Sequence, residues 1–461
     1  MTRPNVPSAT IKDKNFFFHP FTALKAHESN GGKIFVSGEK STLTDESGKK
    51  FLDAMAGLWC VNLGYGNAEL ADTISHQIKK LSYYHSFSGM GNDLSEILSE
   101  KIISLTPVPM SKVFFGNSGS DANDTNAKIV WFYNNAIGKP NKKKIISRNR
   151  GYHGVTVLSA GLTGLKNLHE GFDLPLNMIR HVRAPHQLWE REQGMTDSSF
   201  AIKLAQELED LILLEGPDTV AAFIAEPIMA AGGVIVPPAT YFAEIQKVLT
   251  KYDVLLIADE VVTGFGRLGA MFGSEVFDMK PDIITVAKGL TSAYIPLSGS
   301  IISEKIWCVL RDGSEKYGAF GHGYTYSAHP VATSCAIKAL EILERENMVA
   351  ANIKSGEILH SALKYHFEDH PLVGEIRGKG LIGAIELVSE KNPIKPFDTS
   401  EKIGPRVAKR SMELGVITRA LPAADTLSFS PPFIVTEKEI EIMVFTVRKA
   451  LDEISKEIGR L

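Results

Sequence analysis

The sequence predicts an α/β fold, a mostly parallel sheet covered on both faces by helices. Three observations lead there. Short unbroken apolar runs, such as residues 221–225 and 254–258, have the pattern of strands buried on both faces. Stretches of helical periodicity, such as 199–215, lie between those runs. At 461 residues and 44% hydrophobic content, the chain can bury a core divided between more than one lobe. The expected division is an N-terminal arm with part of a small domain at 1–65, a large domain at 66–329, and the rest of a smaller α+β domain at 330–461, so that both chain ends build the small domain.

The composition excludes several function classes. A net charge of -3 gives no electrostatic case for nucleic acid or an anionic membrane. The three cysteines, Cys60, Cys308 and Cys335, form no Cys-x-x-Cys pair, and their odd number argues against a disulfide framework; no metal site is expected. The first 21 residues contain no apolar core of signal-peptide length. Residues 220–236 are interrupted by Glu226-Pro227 and Gly232-Gly233 and cannot span a bilayer. A reducing cytoplasm is the expected location.

In chain order, residues 1–30 are polar and irregular around the aromatic knot at 16–21. Residues 33–55 alternate apolar and polar about two Ser/Gly turn signals, which predicts an antiparallel meander. Gly57, Gly64 and Gly66 among large apolar residues suit a loop pressed against another body. A helix over 69–81 precedes the aromatic cluster 83–87. Strand 112–115 runs into Gly116-Asn117-Ser118-Gly119-Ser120-Asp121 and a helix over 122–136. That arrangement outlines an anion site, because free amides and the helix dipole favour a phosphate there. No Gly-Lys-Ser/Thr follows, so it is no Walker loop, and Ser and Gly also serve simply as caps. Lys142-Lys143-Lys144 reads as a solvated run, and 145–147 is strand-like. The strand 221–225 ends in Glu226, suited to supporting a site by hydrogen bonds. Ala231, in a loop of small residues, leaves room that a larger side chain would fill. Helices are expected at 239–252, 332–364, 404–414 and from Thr436, with strands around a Gly turn at 375–387 and further apolar runs at 416–421 and 427–430.

The chemistry centres on residues 254–296. The run 254–258 ends in Asp259 and Glu260; the run 283–287 ends in Lys288, the only charged residue from 283 to 303. A buried ammonium finds a counter-charge or loses its proton. Lys288 is either a strand-end lysine with its tip in water or an amine that forms a Schiff base with an aldehyde cofactor. Pyridoxal phosphate (PLP) needs such a lysine, and an acid on its pyridine nitrogen. Asp259, at the end of the neighbouring run, could be that acid.

The stretch LLIADEVVTGFGRLGAMFG followed by PDIITVAKGLTSAYIPLSG resembles the class III (omega) aminotransferases, PLP enzymes of fold type I, and is closest to the omega-amino acid and amine:pyruvate transaminases. The resemblance runs almost end to end. It implies a large domain with a mostly parallel, seven-stranded-type sheet, and pyridoxal 5′-phosphate between the lobes. It makes Lys288 the Schiff-base lysine, with Asp259 stabilising ring charge and Gly119 and Ser120 in the phosphate cup. Tyr152 and Val261 would contact the two ring faces, Glu226 would support the site, and Thr325 would donate to the phosphate of the other subunit. For the substrate it implies Phe21, Trp59, Phe87, Tyr152 and Ala231 as walls and Arg419 as a mobile carboxylate fork. His153, His322 and His329 are expected to be structural. The expected partners are an amine donor and a keto acid acceptor, pyruvate above all, in a homodimer or tetramer with shared active sites. Alternatives are a diamine or 4-aminobutyrate aminotransferase using 2-oxoglutarate, or a decarboxylase, racemase or aminomutase. Gly264-Phe265-Gly266-Arg267-Leu268-Gly269 also matches a dinucleotide fingerprint, but it follows no strand directly and too short a segment comes after it for the crossover helix of a nicotinamide oxidoreductase.

Overall fold

A computed structural model describes residues 16–421 and 425–460; the polar start of the arm, residues 1–15, lies outside the described residues. The meander forms as its alternation predicts: β1 (Phe35–Glu39), β2 (Thr42–Asp45) and β3 (Lys50–Asp53) pair antiparallel. The large sheet follows with β4 (Lys112–Gly116), β5 (Lys144–Arg148), β6 (Ile179–Val182), β7 (Val220–Ala225), β8 (Leu255–Asp259), β9 (Ile283–Val286) and β10 (Ser298–Ile302). Its seven strands lie in the order β4-β10-β9-β8-β7-β5-β6. From β9 to β6 all neighbours are parallel; β10 runs antiparallel to both β4 and β9. Strands β7, β8 and β9 are wholly buried, which is why their sequences are apolar but for Thr285 and the terminal Asp259.

The sequence reading missed β6 and β10. β10 begins Ser-Gly-Ser, a loop composition, yet the small residues serve packing. A Cβ on Gly299 would lie 3.1 Å from Val286 and 3.2 Å from Val113. Ser300 Oγ donates to the Ala122 carbonyl (3.1 Å), which seats helix Gly119–Ala136 on this strand. Two further expectations are corrected. The pattern at 332–364 is two helices, Pro330–Arg345 and Met348–Phe367, broken at Asn347, whose φ of 48° lies in the left-handed region open to asparagine. The run Lys142-Lys143-Lys144 is not solvated: Lys142 is buried with Nζ donating to the Tyr252 carbonyl (2.8 Å), Lys143 donates to Asn135 Oδ1 (2.7 Å), and Lys144 pairs with Glu215 (2.8 Å).

The C-terminal part adds β11 (Val373–Lys379), β12 (Ile382–Leu387), the short hairpin β13 (Glu390–Lys391) and β14 (Ile394–Lys395), β15 (Val416–Ile417), β16 (Arg419–Leu421) and β17 (Thr426–Phe429). β11, β12, β17 and β16 form an antiparallel sheet. β15 pairs parallel with β3, so the two chain ends meet in one sheet.

The glycine-rich segment after β8 is a joint, not a nucleotide loop. Only a four-residue helix, Gly273–Val276, follows it. Glu260, 1% exposed, accepts hydrogen bonds from the amides of Gly273 (2.9 Å) and Ser274 (2.6 Å) and from the Thr263 and Ser274 hydroxyls. Arg267, fully buried, donates to the carbonyls of Leu381 (3.0 Å) and Pro431 (2.7 Å) and to Asn62 Oδ1 (2.7 Å), tying the segment to the C-terminal sheet and the loop after β3. Glu260→Ala leaves buried donors without an acceptor and is expected to cost about 2–4 kcal/mol, read as a lower urea midpoint of unfolding.

Candidate active site

Parallel strands present their carboxyl ends on one edge of a sheet, where ligands of α/β proteins bind. Here Glu226 follows β7, Asp259 ends β8 and Lys288 lies just beyond β9. All three face one cavity of about 810 Å³.

Lys288 has a φ of 45°, a left-handed turn at the strand end. Among the described residues no carboxylate lies within ion-pair distance of its amine, and Nζ sits 5.3 Å from the centroid of the Trp59 ring. Burial pushes the amine's pKa below the ordinary lysine value; Cys60, Asp259 and Glu226 oppose that shift without reversing it, and Arg419 adds to it. Asp259 is 3% exposed. Its Oδ2 accepts from His153 Nδ1 (2.8 Å) and Asn123 Nδ2 (2.9 Å), and its Oδ1 from the Val261 amide (3.1 Å). Oδ1 therefore keeps acceptor capacity. Glu226 is committed elsewhere: Oε1 accepts from the Tyr152 amide and Oε2 from the Ala230 amide, each at 3.1 Å. Burial pushes its pKa up.

The helix at the cavity edge, Gly119–Ala136, begins three residues earlier than its sequence suggests, so Gly119 and Ser120 occupy its first turn. Ser118 Oγ caps the Asp121 amide (3.2 Å), and Asp121 accepts from the amides of Asn117 and Ser118. The amides of Gly119 and Ser120, with no intrahelical acceptor, are left at the cavity. A Cβ on Gly119 would sit 3.0 Å from Val261 Cγ2, so glycine lets Val261 close against the helix start. Gly154, at φ 131°, leaves room for the Ser120 hydroxyl, 2.6 Å from where a Cβ would be.

Tyr152, Val261, Trp59, Ala231 and Arg419 line the same cavity, and Phe21 stands at it, 66% exposed. Arg419 Cζ lies 5.2 Å from the Trp59 ring centroid, so the guanidinium and the Lys288 amine share one aromatic shelf. Among the described residues Arg419 has no ion-pair partner, and burial lowers its pKa.

Phe87 stands elsewhere, and Thr325, expected to serve the other subunit, also lies outside this cavity. Phe87 does not line the cavity of a single chain: a short turn, Phe87–Gly89, places its ring against Gly323, where a Cβ would lie 2.8 Å from Cε1. Thr325 is exposed, its carbonyl accepting from the Tyr83 hydroxyl (2.8 Å). Its segment is pinned to the helix by Tyr324 Oη donating to the Asp121 carbonyl (2.9 Å) and by the Thr125–His322 contact (2.8 Å). Phe87 and Thr325 thus share an exposed aromatic face with Tyr83, Tyr84 and Tyr326.

Sequence reasoning missed Asn123 and understated His153. Asn123 Oδ1 accepts from Thr285 Oγ1 (2.8 Å), and Asn126 Nδ2 donates to that same hydroxyl (2.7 Å), so a buried polar chain stands behind Asp259. The available signal was two asparagines three apart on a face otherwise carrying Ala122 and Ala127. Cys60 also lines the cavity, and burial pushes its thiol pKa up. The cluster His186, Glu375 and Glu386 has metal-like spacing, but the Arg377 guanidinium pairs with both acids and supplies the positive charge.

This donor set fits a flat, anionic aldehyde with a basic ring nitrogen. A model of the aminotransferase class-III family matches residues 26–451. The uncharacterized aminotransferase y4uB of Sinorhizobium fredii is 48% identical over 459 residues, 99% of this chain and 98% of that protein. Diaminobutyrate–2-oxoglutarate transaminase of Halomonas elongata is 47% identical over 454 residues, 97% of each chain. The structure of the omega transaminase of Pseudomonas jessenii in complex with PMP is similar at a TM-score of 0.96 and 48% identity, covering 98% of this chain and 100% of that one.

The Lys288 amine has a sign-specific consequence. Its folded pKa is depressed, so the folded state carries a penalty that is fully present below that pKa and disappears as pH rises through the unfolded value of about 10.4. In protein stripped of bound small molecules, Lys288→Met is expected to raise the melting temperature at pH 7, with the gain over wild type shrinking by pH 10. An equal gain at both pH values would contradict a depressed lysine.

Proposed function

The chain belongs to the class-III aminotransferases, and on that premise we propose that it moves an amino group from an amine or omega-amino acid to pyruvate or a similar keto acid in two half-reactions. Enzymes of this class use PLP, and the cavity suits it. When bound, PLP supplies an aldehyde for the donor's amino group and a conjugated ring that takes up the electron pair freed at the donor carbon.

The protein's part follows from the wall. Lys288 Nζ, its pKa lowered by burial, takes the proton from the donor carbon and returns it on the far side of the transferred nitrogen. Asp259, oriented by His153, Asn123 and the Val261 amide, would face the pyridine nitrogen of the bound cofactor. The Gly119 and Ser120 amides would hold the cofactor's phosphate at the helix start. Tyr152 and Val261 bound the flat ring, and Trp59, Ala231 and Phe21 bound the substrate. Thr325 and Phe87 complete the partner's cavity in a homodimer; exposed aromatic patches of that kind mark interfaces.

The single observation that carries the acceptor is Arg419, without an acid partner among the described residues, over Trp59 in the same cavity as Lys288. Among the described residues the lining holds no other lysine or arginine besides Lys288. One guanidinium suits one carboxylate, which supports pyruvate. The second reading is 2-oxoglutarate, the acceptor in the name of the Halomonas elongata relative.

The purified protein is expected to carry the visible absorption band of bound PLP, to lose it on adding an aryl-alkyl amine, and to regain it with pyruvate. Recovery with 2-oxoglutarate but not pyruvate would favour the second reading, and no bleaching by any amine or omega-amino acid would sink both. Arg419→Gln is expected to raise KM for pyruvate about 10- to 100-fold, the worth of a charge-assisted hydrogen-bonded fork, while the bleaching rate with a carboxylate-free amine stays near wild type.

A further inference from the structure

Behind the cavity wall lies a buried knot of charge that the chemistry above does not use. Glu386 of β12 is fully buried. It pairs with Arg377 of β11, faces His186 Nε2 at 3.1 Å and accepts from the indole N–H of Trp189. Arg377 Nη1 also pairs with Glu375 (2.6 Å). Two further donors of the guanidinium leave the knot: Nε (2.9 Å) and Nη2 (2.6 Å) both donate to the carbonyl of Gly233.

Gly233 belongs to the loop closed at its base by the antiparallel bridge between Met229 and Ile235, and this loop carries Ala231 into the cavity. The loop is held from the other side by Glu226, whose Oε2 accepts from the Ala230 amide (3.1 Å). A carboxylate in front and a guanidinium behind thus fix the same five residues. The loop's backbone is strained at Val234, whose φ is 53°, and it needs glycine at Gly233, with φ 136°, and at Gly232, where a Cβ would lie 2.1 Å from the Arg150 carbonyl oxygen. Such a turn persists only where its surroundings over-determine it.

We propose that Arg377 is a positioning residue that sets the width of the cavity on the Ala231 side, and so the size of amine the enzyme accepts. The inference rests on reading this cavity as the amine site. A buried ion pair is a poor device for stability, because desolvation offsets the attraction. It is a good device for direction, because the guanidinium fork is rigid. Anchored by Glu386, the fork holds the Gly233 carbonyl at a set place relative to β11 and β12, and Ala231 follows two residues away. Freed from it, the loop relaxes and the wall recedes.

The test compares kcat/KM for isopropylamine and 1-phenylpropylamine, with pyruvate as acceptor, in wild type, in Arg377→Lys and in the double variant Arg377→Met/Glu386→Gln. The lysine keeps the charge without the fork; the double variant removes both members of the buried Arg377–Glu386 pair, so neither is left as a lone buried charge, and one of the two variants is expected to fold and carry the cofactor band. In a band-carrying variant the ratio of bulky to small donor is expected to rise by about tenfold, the scale at which a pocket discriminates by size. A ratio within about twofold of wild type, or a fall, would overturn the proposal and leave the knot a structural contact. Wild type alone separates the underlying reading: if its band bleaches with neither amine, the amine site is wrong and the inference falls with it.

Discussion

A lysine amine at the wall of a cavity, with no carboxylate in ion-pair distance among the described residues, is the constraint on which this molecule turns. Lys288 costs the empty protein stability, since burial disfavours its charged form. The fold accepts that cost by surrounding the amine with an aromatic ring, a nearby guanidinium and two acids already tied to other donors. Each acid is close enough to be felt electrostatically, yet among the described residues neither lies within ion-pair distance of the amine. An ordinary salt bridge there would leave the amine protonated and useless as a base.

Three acids at or beside strand ends show how environment divides one chemistry among roles. Asp259 is pinned by an imidazole, an amide side chain and a backbone amide, and still faces the cavity. Glu226 spends both oxygens on backbone amides and so joins the Tyr152 loop to the Ala231 loop. Glu260, adjacent to Asp259 in sequence, points away and organises the glycine-rich joint. Along a strand, successive side chains alternate between faces. Neighbours in sequence therefore serve different bodies: Asp259 the cavity, Glu260 the scaffold that orients it.

Much of this was legible in the chain. The buried runs of β7, β8 and β9 announced themselves because a strand covered on both faces has no polar alternation. Lys288 stood out because it was the only charge in a long apolar stretch. β10 stayed hidden because its first three residues are small, chosen for a helix that sits on them rather than for strand propensity. The lysines at 142–144 misled for the converse reason: their acceptors are backbone carbonyls and distant side chains that no local pattern displays.

By itself the sequence determined the α/β class, the strand ends that carry the functional groups, and the family to which their motif belongs, because period and residue type are local properties. Tertiary structure alone decided which of those groups meet. It put Arg419 and Lys288 on one tryptophan shelf, Asn123 and His153 on one carboxylate oxygen, and Arg377 on the back of a loop 144 residues away in sequence. It also put Phe87 and Thr325 on an outer face rather than in the cavity of their own chain. Burial, hydrogen-bond partners and pKa direction depend on what the fold brings close, and closeness between distant segments is not written in either segment.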